Sequence, residues 1–262
     1  MPLSAPSIPR NPYAERTHCW PAICFSAAAS FTAAGLLLPI GVQALRRSRA
    51  ESCAEMRPLA WLPLGFALQQ GLEGLIWTVL PSGPTSPWLA PLSVAYLFIA
   101  YALWPAWIPW SALVLAQQHV GRGRLLALRL LLGLGALLGL TLWLPVLAHP
   151  LRAVPSVLAG SLHYGAMDLL HGTPLADLGP ALYLLLITSP LLMVPSRPVR
   201  LFALSLGVSA LISQIWWQHT FSSVWCFFSA LLSWQILLLL DSNASLRPPA
   251  PPLPPPAVVA AS

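Results

Sequence analysis

Charge is scarce in this chain. Of its 262 residues 8% are charged and 57% are hydrophobic, where an ordinary soluble domain carries about 25% charged residues. A soluble fold of this size has too few charges to cover its core. Intrinsic disorder is excluded as well, because it needs low hydrophobicity and abundant charge. Lysine is absent, so all 13 basic side chains are arginine. With heavy use of Ala, Leu and Pro, this points to a GC-rich, bacterial genome. The net charge of +6 does not imply nucleic acid, since the arginines sit in short runs between apolar segments instead of clustering on one polar face. Also missing are CxxC and zinc-finger spacings around Cys19, Cys24, Cys53 and Cys226. No HExxH, no Gly-rich phosphate loop, no secretory signal and no internal repeat is visible.

What is present is apolar sequence in membrane-length runs. A helix needs about 20 apolar residues to cross the hydrocarbon core. Seven stretches qualify, at Ala22–Leu45, Pro58–Leu80, Trp88–Trp107, Leu125–Leu147, Leu175–Val194, Leu201–Gln218 and Ser222–Leu240. The expected fold is an all-α, polytopic helix bundle occupying residues 22–240. Residues 1–21 and the Pro-rich residues 241–262 are expected to be disordered tails. Arg46, Arg47, Arg49 and Arg57, then Arg122 and Arg124, then Arg197 and Arg200 fill alternate loops. The positive-inside rule therefore predicts an outer N-terminus and an inner C-terminus, in a bacterial cytoplasmic membrane. Residues 150–174 are too polar for a span and are expected to form a short interfacial or re-entrant helix on the outer side.

Ionisable groups inside a span are costly and mark candidate sites. Glu73 is the clearest, in Gln69-Gln70-Gly71-Leu72-Glu73-Gly74. Gln69 and Glu73 are four apart and share a helix face. Two readings compete: an interhelical hydrogen-bond clamp, or a catalytic, ion-coupling or ligand-binding group. On the predicted topology His163, His171, His219, Asp168, Tyr164 and Cys226 collect on the outer side with Glu73. Imidazole, carboxylate and thiolate are ligands that suit zinc, copper or iron. The metal reading assigns His163, His171 and His219 to zinc, with Glu73 or Asp168 as general acid/base. The binding reading takes Gln69, Gln70, Tyr164 and Cys226 as ligand contacts. A Cys24–Cys226 disulfide is compatible with both residues lying at outer span ends.

Several segments together resemble a known family. They are Cys24-Phe25-Ser26 with Ser30-Phe31, Gln69-Gln70 with Glu73-Gly74 and Trp77, Trp104-Pro105-Ala106-Trp107-Ile108-Pro109, Ser161-Leu162-His163-Tyr164, and Ser223-Val224-Trp225-Cys226-Phe227-Phe228-Ser229-Ala230. The combination is similar to a domain-of-unknown-function family of bacterial multi-pass membrane proteins that begin near a Cys-Phe-Ser motif. The resemblance spans residues 23–240, implies a start near Ile23, and brings no chemistry. A fainter resemblance is to seven-span hydrolases of the alkaline ceramidase type, which hold zinc with His and Asp. Their paired His in the last span is missing, since His219 stands alone.

Two function classes follow. One is a non-enzymatic membrane protein: a sensor, small-solute permease or assembly partner with a polar outer-half site. The other is a metal-dependent intramembrane hydrolase of lipids. The expected partners are the lipid bilayer and a second copy or another membrane protein.

Overall fold

The computed structural model describes residues 26–49, 51–83, 86–158, 160–164, 174–216 and 221–245. The expected tail at 1–21 and residues 246–262 of the tail expected at 241–262 lie outside these residues, as do Cys24, Asp168, His171 and His219; residues 241–245 are helical instead. The described chain is mostly helical, and each predicted apolar segment overlaps a helical stretch.

Helix α1 spans Ala27–Ser48. Ser26 starts it: its backbone is extended and its hydroxyl accepts the Ala29 N–H at 3.2 Å. That satisfies one of the amide donors left open at a helix start. Arg46 and Arg47 lie in the last turn, where the helix dipole favours positive charge. A 3-10 turn at Glu51–Met56 and the short α2 (Arg57–Ala60) lead into α3 (Leu62–Val79). Helices α1 and α3 pack closely because glycine lets them. A Cβ added at Gly41 would sit 2.5 Å from Leu64, and one at Gly74 would sit 2.7 Å from the Phe31 ring. Small residues of this kind permit the close backbone approach that drives helix association in lipid.

Next comes one long helical rod: α4 (Leu89–Leu97), a π turn at Phe98–Leu103, and α5 (Trp104–Ala116). The π turn runs into a proline. Trp104 N–H bonds back five residues to the Ile99 carbonyl, and the next bond in that register would run from residue 105 to Ala100. Residue 105 is proline and has no N–H to give. The Ala100 carbonyl accepts instead from the Tyr183 hydroxyl at 2.5 Å. Helix α6 (Arg122–Ala148) crosses the rod through Gly135 and Gly139. A Cβ at Gly135 would lie 1.9 Å from the Pro105 oxygen, and one at Gly139 would lie 3.0 Å from Ala102. The other face of α6 exposes Leu126, Leu130, Leu134, Leu137 and Leu144, as a lipid-facing helix should.

Residues 155–164 differ from expectation. They form an antiparallel hairpin, β1 (Pro155–Leu158) and β2 (Ser161–Tyr164), paired Pro155 to Tyr164 through Leu158 to Ser161. The re-entrant helix predicted over 150–174 is corrected for this part. Pro155 disfavours helix continuation, and Gly160 takes φ +78°, which reverses the chain without steric cost.

Helices α7 (Pro174–Leu192), α8 (Arg197–Trp216), α9 (Phe221–Leu232) and α10 (Gln235–Ser245) complete the bundle. The last two meet at a turn on Ser233 and Trp234, and α10 continues past the expected boundary at Leu240. Among the described residues five helical stretches are long and apolar enough to cross a membrane: Ala27–Ser48, Leu89–Ala116, Arg122–Ala148, Arg197–Trp216 and Ser223–Asp241. Leu62–Val79, which carries Glu73, is not among them, and the apolar part of α7 at Leu178–Leu192 is shorter.

Two ion pairs gather the arginine-rich end. Arg47 meets Asp241 at 2.5 Å, and His119 meets Glu55 at 3.2 Å. They bring together the C-terminal ends of α1, α5 and α10 and the turn at Glu51–Met56.

Candidate functional site

The polar residues of α3 face the interior. Phe66, Gln69, Gln70 and Glu73 recur at i, i+3, i+4 and i+7 and are all buried. Helical geometry stacks such positions into one stripe, and the stripe meets α5 and α9.

Gln69 is the bridge between those helices. Its carbonyl accepts the Trp104 indole N–H at 2.7 Å, and its amide donates to the Cys226 sulfur at 2.8 Å. Gly65 makes room for this: a Cβ there would lie 2.5 Å from the Trp104 ring. Phe66 stacks on the same indole at 4.3 Å. The Tyr96 hydroxyl of α4 also bonds Cys226. Cys226 is a free, buried thiol; Cys24, its partner in the disulfide considered from the sequence, lies outside the described residues.

Glu73 lies one turn further along α3. Its carboxylate accepts from Gln70 Nε2 at 3.2 Å and from the Ser223 hydroxyl of α9. No ion pair to Glu73 is found among the described residues. Tyr164, at the end of β2, stacks on Tyr96 with centroids 4.8 Å apart and lies within electrostatic reach of Glu73 and Cys226. Strand β2 packs on α9, so the hairpin lays a tyrosine over the polar stripe. Tyr183 and Trp225 meet edge to face at 5.7 Å and close a further side.

Two buried atoms in this cluster have no hydrogen-bond partner: Gln70 Oε1 and the Tyr164 hydroxyl oxygen. Buried polar atoms are nearly always paired with protein or water. The unpaired Gln70 acceptor and the Tyr164 hydroxyl lie in the same cluster as the Glu73 carboxylate.

Of the residues singled out from sequence, Gln69, Gln70, Glu73, Tyr164 and Cys226 are thus brought together. His163 is not aimed with them. It neighbours Tyr164 on β2, and successive strand residues point to opposite faces. His171, His219 and Asp168, the other residues of the metal and acid/base reading, lie outside the described residues. Among the described residues no three His, Cys, Asp or Glu side chains converge.

Sequence reasoning does not single out Tyr96, Trp104 or Ser223 for the site. A signal exists for the aromatic pair: a buried indole N–H or phenol in a span needs a partner, and α3 carries the available amides. Ser223 gives no such sign, because its partner is 150 residues away in sequence.

No curated protein and no solved structure matches the chain. A family does match, over residues 23–251. That range takes in every described element of the bundle and the whole of the polar cluster, and on that match the chain belongs to the family of unknown function DUF6629.

Proposed function

We propose that this is a polytopic integral membrane protein that binds a small, hydrogen-bond-donating cation at Glu73, as the recognition site of a sensor or small-solute permease. The chain crosses the bilayer seven times, with residues 22–240 as the membrane domain, an outer N-terminus and an inner C-terminus. The arginine runs support that orientation, and the two ion pairs support a common end for the loops after α1 and α5 and for α10.

One observation carries the binding reading. Glu73 is 2% exposed, has no ion pair among the described residues, and shares its cluster with the unpartnered Gln70 Oε1 and Tyr164 hydroxyl. A carboxylate in such a place calls for a compensating proton or cation. Carbonyl, carboxylate and phenol oxygens accept hydrogen bonds, and the faces of Tyr96, Tyr164 and Trp104 attract positive charge. This combination suits ammonium or a protonated primary amine.

The test uses protein in lipid nanodiscs titrated with methylammonium, read by tryptophan fluorescence, since Trp104 and Trp225 lie in the cluster. Wild type is expected to show a saturable change, and Glu73→Gln to weaken it at least about tenfold, the loss of one charge-assisted hydrogen bond. Thermal unfolding checks that the variant is folded. A flat wild-type titration with ammonium and methylammonium alike sinks the proposal and leaves Glu73 as a helix clamp.

A further inference from the structure

The arginine-rich end of the bundle carries a second feature that the Glu73 cluster does not use. A cleft of about 260 Å³ opens between the end of α1 and the start of α3, lined by Leu45, Ser48, Arg49, Arg57 and Trp61. A water molecule occupies about 30 Å³ in the liquid, so the cleft takes a group several times larger. Neither Arg49 nor Arg57 has an ion pair among the described residues, whereas Arg47 at the same end is held by Asp241. Two guanidinium groups lining one cleft present planar donor forks that match phosphate oxygens.

Ser48 donates its hydroxyl to the Leu45 carbonyl, and the remaining lining, Leu45 and Trp61, is apolar and continues. Trp61 is 47% exposed, at the level where tryptophan anchors helices in the membrane interface. Leu38 and Val42 of α1 are also exposed. With Leu45 they fall at i, i+4 and i+7, so one apolar stripe runs from the cleft along the helix toward the membrane centre. A free phosphate has no use for that stripe; an acyl chain does.

We infer that this cleft seats the phosphate of an anionic phospholipid, with Arg49 and Arg57 as its ligands, Trp61 as the interfacial wall and an acyl chain along Leu38 and Val42. Basic pockets at the inner ends of membrane helices are suited to such headgroups. The inference depends on this end of the bundle lying at the bilayer surface and is independent of what Glu73 binds.

The experiment compares lipid-depleted, detergent-purified protein titrated with phosphatidylglycerol, phosphatidylcholine and inorganic phosphate, read by thermal unfolding and native mass spectrometry. Phosphatidylglycerol is expected to bind and raise the unfolding temperature saturably, while the other two do neither. Near-surface arginines each contribute about fivefold to such binding, so R49Q/R57Q is expected to weaken it roughly 25-fold. Both side chains are exposed, so the variant keeps its fold, which gel filtration confirms. R197Q/R200Q, at another of the inner loops, is expected to titrate like wild type. Equal effects of phosphatidylcholine, an unchanged R49Q/R57Q titration, or an equal loss in R197Q/R200Q would overturn the site. Reproduction of the effect by inorganic phosphate alone would overturn the lipid and leave a free-anion site.

Discussion

Tyr183→Phe deletes one hydroxyl, and that hydroxyl serves the Ala100 carbonyl. If the π turn exists because Pro105 cannot donate to Ala100, the deletion strands a buried acceptor. Leaving a buried group unpaired costs about 1–3 kcal/mol. Interhelical hydrogen bonds in membrane proteins are worth less, about 0.6 kcal/mol on average and about 1.7 at most. The Ala100 carbonyl has a proline where its backbone donor would be, so the upper part of that range applies and about 1–1.5 kcal/mol is expected. Pro105→Ala supplies the missing N–H. In that background Tyr183→Phe should cost less than about 0.5 kcal/mol, a coupling of about 1 kcal/mol. Reversible unfolding of the four cycle members in mixed micelles measures it. Equal costs of Tyr183→Phe in both backgrounds would refute the assignment of the π turn to Pro105. The matter bears on the site, because the π turn leads directly into Trp104, the donor to Gln69.

Three further outcomes are expected. Gly135→Ala places a methyl group 1.9 Å from the Pro105 oxygen and should cost more than the 1–3 kcal/mol usual for overpacking. Gly133→Ala, with nothing within 4 Å, should be neutral or slightly stabilising; the two yields of monodisperse protein after gel filtration make the comparison. Ser26→Ala removes the cap of α1 and should lower stability by about 1 kcal/mol, measured by the same unfolding assay, with Ser26→Asp recovering most of it. Cys226 is fully buried, so in a background lacking the other three cysteines it should resist maleimide until the protein unfolds. Rapid labelling of folded protein would mean that the cluster is open to water.

How much of this was legible depends on how local the cause is. Gln69 and Glu73 on one face of α3 follow from helical periodicity alone. The apolar runs were legible because the hydrocarbon core sets one length for every span. The hairpin at Pro155–Tyr164 was not. Its strands are four residues long, three of the β1 side chains are exposed, and a short segment of mixed polarity has no decisive period. The π turn was hidden for another reason. Pro105 was visible as a helix breaker, but the form of the break depends on Tyr183 and on the glycines of α6, both remote in sequence. Ser223 and Trp104 belong to this second group: each is ordinary in its own helix and acquires a role across the bundle.

The position of α3 follows from the same polar groups that define the site. Leu62–Val79 is long enough to cross a bilayer, but its polar residues keep it out of the apolar candidate spans. Each of Gln69, Gln70 and Glu73 would be costly against lipid tails. The cost is removed by surrounding the helix. Helix α1 packs along one side, with Gly41 and Gly74 allowing close approach; α4 and α9 pack on others. Trp104, Cys226 and Ser223 then bond to the amides and the carboxylate. The residues around α3 therefore do two things at once. They pair most of the polar groups of α3 inside the bundle, and they leave Gln70 Oε1 and the Tyr164 hydroxyl unpaired in the Glu73 cluster. A helix retained solely as a clamp gains stability from pairing every buried atom, or from replacing them with leucine. Two atoms left unpaired in the Glu73 cluster run against that gain, and on the proposed binding reading a bound donor restores it.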